Sequence, residues 1–205
     1  MTVDRRAVAI GAVLGGFLLG FLDFVWIRFV PYPFAELGNS SAVWAVAAFV
    51  FGYQVRSGWV RAALGAVALL VVAVPSYYLV AALIQQDDIS VVWAASSLLW
   101  MFFGVLAGVV FGVAGVWARA AGWRQTVGVA LPGAVLFAEA ALLARRIGDP
   151  DYGGGRVWSV VIAATLGVLL IVLVARTARR RALALAAALP LALVGFAGFL
   201  VAGFG

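Results

Sequence analysis

Long apolar segments recur along this chain and limit its possible folds more than any other feature. About twenty consecutive apolar residues cross the hydrocarbon core of a bilayer as a helix, and such segments follow one another here with only short polar breaks. They predict an all-α fold, a polytopic transmembrane helix bundle of about seven helices. The predicted helices lie near residues 7–30, 41–55, 59–84, 91–118, 125–144, 157–175 and 182–203.

The second of these segments is the shortest. From Ser41 to Val55 it crosses a bilayer only if its neighbours thin the membrane or if it begins earlier. A six-helix bundle with a re-entrant second segment is therefore the alternative. No glycine- or proline-rich linker divides the sequence, so residues 1–205 are expected to form a single transmembrane domain.

Composition narrows the possible chemistry. Of the 205 residues 66% are hydrophobic and 11% are charged, and the chain contains no His, Cys or Lys. It therefore lacks the usual ligands of haem and zinc, the Ser-His and Cys-His nucleophile pairs, and a lysine for a Schiff base. We expect no enzymatic activity, no cofactor and no metal site. An enzyme acting on lipid through carboxylates is a distant alternative that no motif indicates.

The arginines predict the orientation. All fourteen basic residues are arginine. With the N-terminus in the cytoplasm, ten fall in cytoplasmic segments and three in outer loops, as the positive-inside rule requires. Contact with anionic lipid accounts for this charge, so no nucleic-acid partner is expected. Arginine without lysine, with abundant Ala, Gly and Val, is typical of a GC-rich bacterial genome and predicts a multi-pass protein of the bacterial inner (plasma) membrane.

Three charged residues lie at depth in the predicted helices, where each costs about 2.5–3.5 kcal/mol on insertion scales. They are Asp23, Arg28 and Glu139. Asp23 and Glu139 lie at matching depths, on the order of 10 Å below the outer surface at 1.5 Å per residue. Together with nearby polar and aromatic residues they predict a ligand-binding pocket in the outer half of the bundle. Its predicted residues are Asp23, Arg28, Asn39, Ser40, Tyr77, Tyr78, Ser97, Trp100 and Glu139.

In this hypothesis Asn39 and Ser40 cap the second helix at the pocket mouth, where the positive end of the helix dipole receives an anion or a hydroxyl. A purely structural interpretation stays open beside it. In that interpretation Arg28 neutralises Asp23 or Glu139, the hydroxyls bond to the backbone, and Trp100 fills core volume.

Glycines at helical spacing mark two faces for close helix packing. Gly16 and Gly20 share a face of the first helix with Asp23, and the fourth helix repeats the pattern with Gly104, Gly108 and Gly112. These faces are expected to point into the bundle, although they would also suit the docking of other membrane proteins.

Three segments carry a resemblance to a known family: 38–46 (GNSSAVWAV), the 108–117 run, and 131–140 (LPGAVLFAEA). They resemble an uncharacterised family of actinobacterial integral membrane proteins, a domain of unknown function. The resemblance implies an actinobacterial multi-pass protein and brings no activity with it. The topology is also similar to the substrate-binding membrane subunits of energy-coupling-factor transporters, although those have six helices.

Two functions therefore remain. The first is a small-solute binding or transport subunit that uses the outer pocket. The alternative is a structural or assembly subunit that docks other membrane proteins through its glycine-rich helix faces. The expected partners are the lipid bilayer and either a small solute or other membrane proteins.

Overall fold

The computed structural model of the protein describes residues 5–56, 58–86, 88–148 and 156–204. Over these residues the chain forms seven α-helices and two short 3-10 segments and contains no strand, so the predicted all-α polytopic bundle is confirmed. The helices are α1 (Arg5–Phe29), α2 (Ser41–Gln54), α3 (Trp59–Gln85), α4 (Ala95–Trp117), α5 (Trp123–Ala144), α6 (Arg156–Val174) and α7 (Ala178–Val201). The 3-10 segments are Phe34–Asn39 and Ile89–Trp93.

Six of the seven helices are long and apolar enough to cross a membrane, and α2 is the exception. The protein is therefore a multi-pass membrane protein. With 14 residues, α2 is about 21 Å long at 1.5 Å per residue, whereas the hydrocarbon core is about 30 Å thick.

The fourth helix begins at Ala95, not at residue 91 as the sequence predicted. Residues 89–93 form a separate 3-10 segment, because Asp88 accepts a hydrogen bond from the Ser90 amide and Ala94 adopts an extended conformation. The Ser97 hydroxyl donates to the Val91 carbonyl at 2.6 Å. That bond folds the segment back against the first turn of α4.

Helix α3 lies between α1 and α4, and glycines let both approach it closely. A Cβ atom at Gly16 or Gly20 of α1 would overlap the Leu69 or Ala73 carbonyl oxygen. A Cβ at Gly108 of α4 would come within 2.6 Å of the Val67 backbone. The glycine faces predicted from the sequence are thus covered by a helix of the same chain.

The short α2 packs against α3, α4 and α5 in the middle of the bundle. Beyond it, α6 and α7 pack on α5 and leave most of their own surface exposed. The N-termini of α1, α3, α5 and α7 lie at one end, which carries Arg56, Arg61, Arg119 and Arg124 and is called here the arginine-rich end.

Candidate solute-binding site

A cavity opens in the bundle because α2 does not extend to the end opposite the arginines. The chain leaves α1 and runs back along its last two turns as the Phe34–Asn39 segment. The Trp26 indole N–H donates to the Phe34 carbonyl at 2.7 Å, and Gly38 packs against the Asp23 carbonyl and the Ile27 side chain. Helix α2 therefore begins beside Asp23, about 9 Å below the last residue of α1.

The space above the α2 N-terminus is a cavity of about 200 Å³, called here the deep cavity. Four helices and the Phe34–Asn39 segment enclose it. Its lining combines one carboxylate, several hydroxyl and amide groups, five aromatic rings and a few apolar side chains. The lining residues are Asp23, Gly38, Asn39, Ser40, Ser41, Trp44, Leu70, Val74, Tyr77, Tyr78, Trp100, Phe103, Gly104 and Ala107.

Asp23 supplies the carboxylate of the deep cavity and is only 9% exposed. The Trp44 side chain donates a hydrogen bond to it, and Tyr77 lies close enough for an electrostatic interaction. Arg28 forms no ion pair with Asp23 within the described parts of the chain. An indole N–H thus replaces the cation that the structural interpretation expected.

Glu139 does not line the cavity but lies directly behind Ser40. Its carboxylate accepts the Ser40 hydroxyl at 2.5 Å and the Ala42 amide at 3.3 Å, and it also accepts the Ser41 amide. Ser40 in turn caps α2 by accepting the Val43 amide at 3.1 Å. A carboxylate from α5 thus satisfies N–H groups at the first turn of α2, where the helix dipole favours an anion.

Aromatic rings form two walls of the deep cavity. On α3, Tyr77 and Tyr78 meet edge to face with ring centroids 5.3 Å apart. On α4, Trp100 and Phe103 meet edge to face at 6.1 Å, and Phe204 packs against both from the chain's C-terminal end. Trp100 remains 39% exposed, so the α4 wall is also the side on which the cavity approaches the surrounding lipid.

A second cavity of about 320 Å³, called here the rim cavity, lies nearer the helix ends. Arg28, Gln85 and Asp88 contribute its polar groups, and it shares Tyr77 and Tyr78 with the deep cavity. Hydrogen bonds from Ser90 lower the pKa of Asp88, so its carboxylate is ionised at neutral pH and lies in the same cavity as the Arg28 guanidinium. The tyrosine pair thus lies between this polar rim and the deep cavity.

Six of the nine residues predicted to bind a ligand line the deep cavity together: Asp23, Asn39, Ser40, Tyr77, Tyr78 and Trp100. Glu139 is one hydrogen bond away from it. Whether these residues bind a ligand remains a prediction.

Two further residues of the predicted nine lie outside the deep cavity, and Asn39 lines the cavity without making the predicted helix cap. Arg28 faces the rim cavity, and its guanidinium stacks on Phe29 at 5.8 Å. Ser97 is fully buried and its hydroxyl is used by the Val91 carbonyl. Asn39 is exposed and makes no cap, because Ser40 alone holds the N-cap position of α2.

The sequence prediction missed Trp44 and Phe103. Both carry a signal in their spacing, because residues three or four apart share a helix face. Trp44 follows Ser40 by four residues, and Phe103 follows Trp100 by three.

Comparison with known proteins adds a family and no activity. No curated protein and no solved structure matches the chain. One family model matches residues 2–203, nearly the whole sequence. In agreement with the resemblance seen in the sequence, the chain belongs to a family of unknown function, DUF6518.

Proposed function

We propose that this protein binds a small solute in the deep cavity and acts as a solute-binding or transport subunit of the bacterial plasma membrane. The observation that carries the proposal is the cavity itself. It is concave, has an aromatic and apolar lining, and contains a few converging polar groups, which is the usual make-up of a small-molecule site. The arginine distribution supports a cavity that opens on the outer side of the membrane.

The lining of the deep cavity also favours ligand binding over a purely structural role. A bundle that needed only stability would gain more by filling this space with aliphatic side chains, since voids forfeit packing contacts. Here Asp23, Tyr77 and Tyr78 are instead held around an open volume. We propose binding without catalysis, because the chain has no His, Cys or Lys and Asp23 is the only carboxyl residue that lines the deep cavity among the described residues.

The alternative is an assembly subunit. The glycine faces that suggested it are covered by α3, so docking of another protein would need a different surface. The exposed faces of α6 and α7 suit lipid equally well. The observations therefore favour solute binding.

A thermal-stability screen tests the proposal. A ligand that binds only the folded protein stabilises it by about 2.7 kcal/mol when present at 100 times its Kd. The purified protein in detergent is screened against small polar and charged metabolites. We compare the wild type with Ala107→Phe, which places a ring in the deep cavity, and with Ala197→Phe, the same substitution at an exposed position of α7.

We expect a compound that raises Tm in the wild type and in Ala197→Phe but not in Ala107→Phe. The proposal fails if no compound separates Ala107→Phe from the other two proteins. Uptake of the identified compound into proteoliposomes then decides between a binding subunit and a protein that transports alone.

A further inference from the structure

The chemistry of the deep cavity identifies the class of solute. Resting on the proposed function, we infer that the ligand is a small organic cation, an amine or quaternary ammonium compound. Asp23 would face its charge and the surrounding aromatic rings would hold its alkyl groups.

The charged and acidic groups around the deep cavity favour a cationic ligand. Among the described residues, Asp23 is the only acidic residue that lines the deep cavity, and no arginine lines it. Arg28, one turn further along α1, faces the rim cavity, where Asp88 lies with it. The deep cavity therefore holds an acidic group and, among the described residues, no basic one. A buried carboxyl group of this kind either keeps a proton or binds a cation, and an ammonium group would take the place of the proton.

An anionic solute fits the deep cavity poorly, because the helix end that would bind it is already occupied. The natural anion site here is the N-terminus of α2, where free amides and the helix dipole attract negative charge. Glu139 already takes the Ser41 and Ala42 amides and the Ser40 hydroxyl. An incoming anion would find those donors used and would meet two carboxyl groups, Glu139 and Asp23, in place of a cation.

The aromatic rings of the deep cavity also suit an organic cation. Trp44, Tyr77, Tyr78, Trp100 and Phe103 surround the space beside Asp23. Within the Tyr77–Tyr78 and Trp100–Phe103 pairs the ring planes are inclined at 87° and 74°, so each wall offers a corner of two ring surfaces. Aromatic faces attract organic cations through the ring quadrupole, and aromatic cages of this kind recognise quaternary ammonium groups.

An inorganic cation fits less well. Calcium takes six to eight oxygen ligands and magnesium usually retains several waters. The deep cavity offers one carboxylate and a few hydroxyl and amide groups among aromatic and apolar side chains, and the Ser40 hydroxyl is already bonded to Glu139. The described residues hold no cluster of three metal-ligating side chains. An ammonium group with alkyl substituents matches both the carboxylate and the apolar lining.

The test compares charged probes with an uncharged one of the same shape. Methylammonium, tetramethylammonium and choline are titrated into the full-length protein in lipid nanodiscs by calorimetry. The uncharged probe is 3,3-dimethyl-1-butanol, in which carbon replaces the choline nitrogen. We expect at least one cation to bind and choline to bind at least tenfold more tightly than its isostere.

Two variants locate the effect. Asp23→Asn keeps the side-chain shape and should reduce affinity for the cations at least tenfold while leaving affinity for 3,3-dimethyl-1-butanol unchanged. Glu36→Gln is the matched control, since Glu36 lies outside the deep cavity, near Arg156 at 3.8 Å, and its removal should leave binding unchanged.

The outcomes separate this inference from the proposed function. If the isostere binds as tightly as choline, or if Asp23→Asn binds the cations normally, the cationic class is wrong although a solute site exists. If no cation in the series binds, the inference is also overturned. The metabolite screen with Ala107→Phe then judges the proposed function separately.

Discussion

Helices α3 and α4 pack in opposite ways over two halves of their length. Toward the arginine-rich end, Gly16 of α1 and Gly108 and Gly112 of α4 bring their backbones onto α3 with no intervening side chain. Toward the other end, Tyr77, Trp100 and their aromatic neighbours line the deep cavity. Glycine at the contact face thus forms a closed seam, whereas aromatic side chains line the space that the short α2 leaves open.

The two ends of α2 also differ, because an acidic residue contacts one end and a basic residue contacts the other. At its N-terminus a carboxylate from α5, Glu139, accepts the first amides in a mostly buried setting. At its C-terminus the Arg119 guanidinium donates to the Val55 carbonyl at 2.6 Å and stacks over Tyr53 at 5.4 Å. An anion at the start and a cation at the end both match the helix dipole, which fixes a helix too short to be held by the membrane alone.

The largest effect is expected from breaking the glycine seam. Gly108→Leu places a branched side chain against the Val67 backbone, which lies 2.6 Å from its Cβ position. Because backbone cannot move aside as a side chain does, we expect destabilisation of about 3 kcal/mol or more, at the upper end for overpacking. Thermal unfolding in detergent, followed by size-exclusion chromatography, measures it.

Gly198→Leu is the control, since a Cβ there meets no atom within 4 Å. This substitution should leave Tm nearly unchanged. Equal stability of the two variants would contradict the assignment of close packing to the glycine half of α4.

A smaller effect is expected from Glu139. Glu139→Ala removes the acceptor for the Ser40 hydroxyl and the Ala42 amide, and leaving buried donors unpaired costs about 1–3 kcal/mol. Glu139→Gln keeps one acceptor oxygen and should lose less. Thermal unfolding of both variants, of Ser40→Ala alone, and of each Glu139 variant combined with Ser40→Ala gives the coupling between the two residues.

In that cycle the double variant should lose less than the sum of the two single losses, by at least about 0.5 kcal/mol. Strict additivity would mean that the contact between Glu139 and the α2 cap contributes little to stability. The cavity would then owe its shape to packing alone.

Counting residues from the helix ends predicts the level of Asp23 and Glu139, because depth in a membrane follows directly from position along a helix. The direction in which a side chain points around the helix axis also follows from the sequence. It places Arg28 away from the face that carries Asp23. Five residues beyond Asp23, at 100° each, turn Arg28 by about 140° away from the Asp23 face. It therefore belongs beside Asp88 in the rim cavity.

Other features depend on tertiary contacts that spacing does not contain. Ser97 shares the face of Gly104, but the chain before α4 folds back and Val91 takes its hydroxyl. Glu139 was recognised as costly from its depth, whereas its contact with Ser40, 99 positions away along the chain, appears only when α5 packs on α2. Such long-range partners decide whether a membrane carboxylate lines a site or supports it from behind.

The smallest effect is expected at the arginine-rich end of α2. Arg119→Met keeps a long apolar side chain but removes the bond to Val55 and the contact with Tyr53. Burial already lowers the pKa of Arg119, and the charge of Arg56 adds to this, so part of what the hydrogen bond contributes is offset by desolvation. We expect a loss of about 1 kcal/mol, below that of Glu139→Ala, with affinity for any deep-cavity ligand unchanged.

If Arg119→Met proves as destabilising as Glu139→Ala, or weakens ligand binding, then the two ends of α2 are coupled and the cavity depends on the whole helix rather than on its first turn.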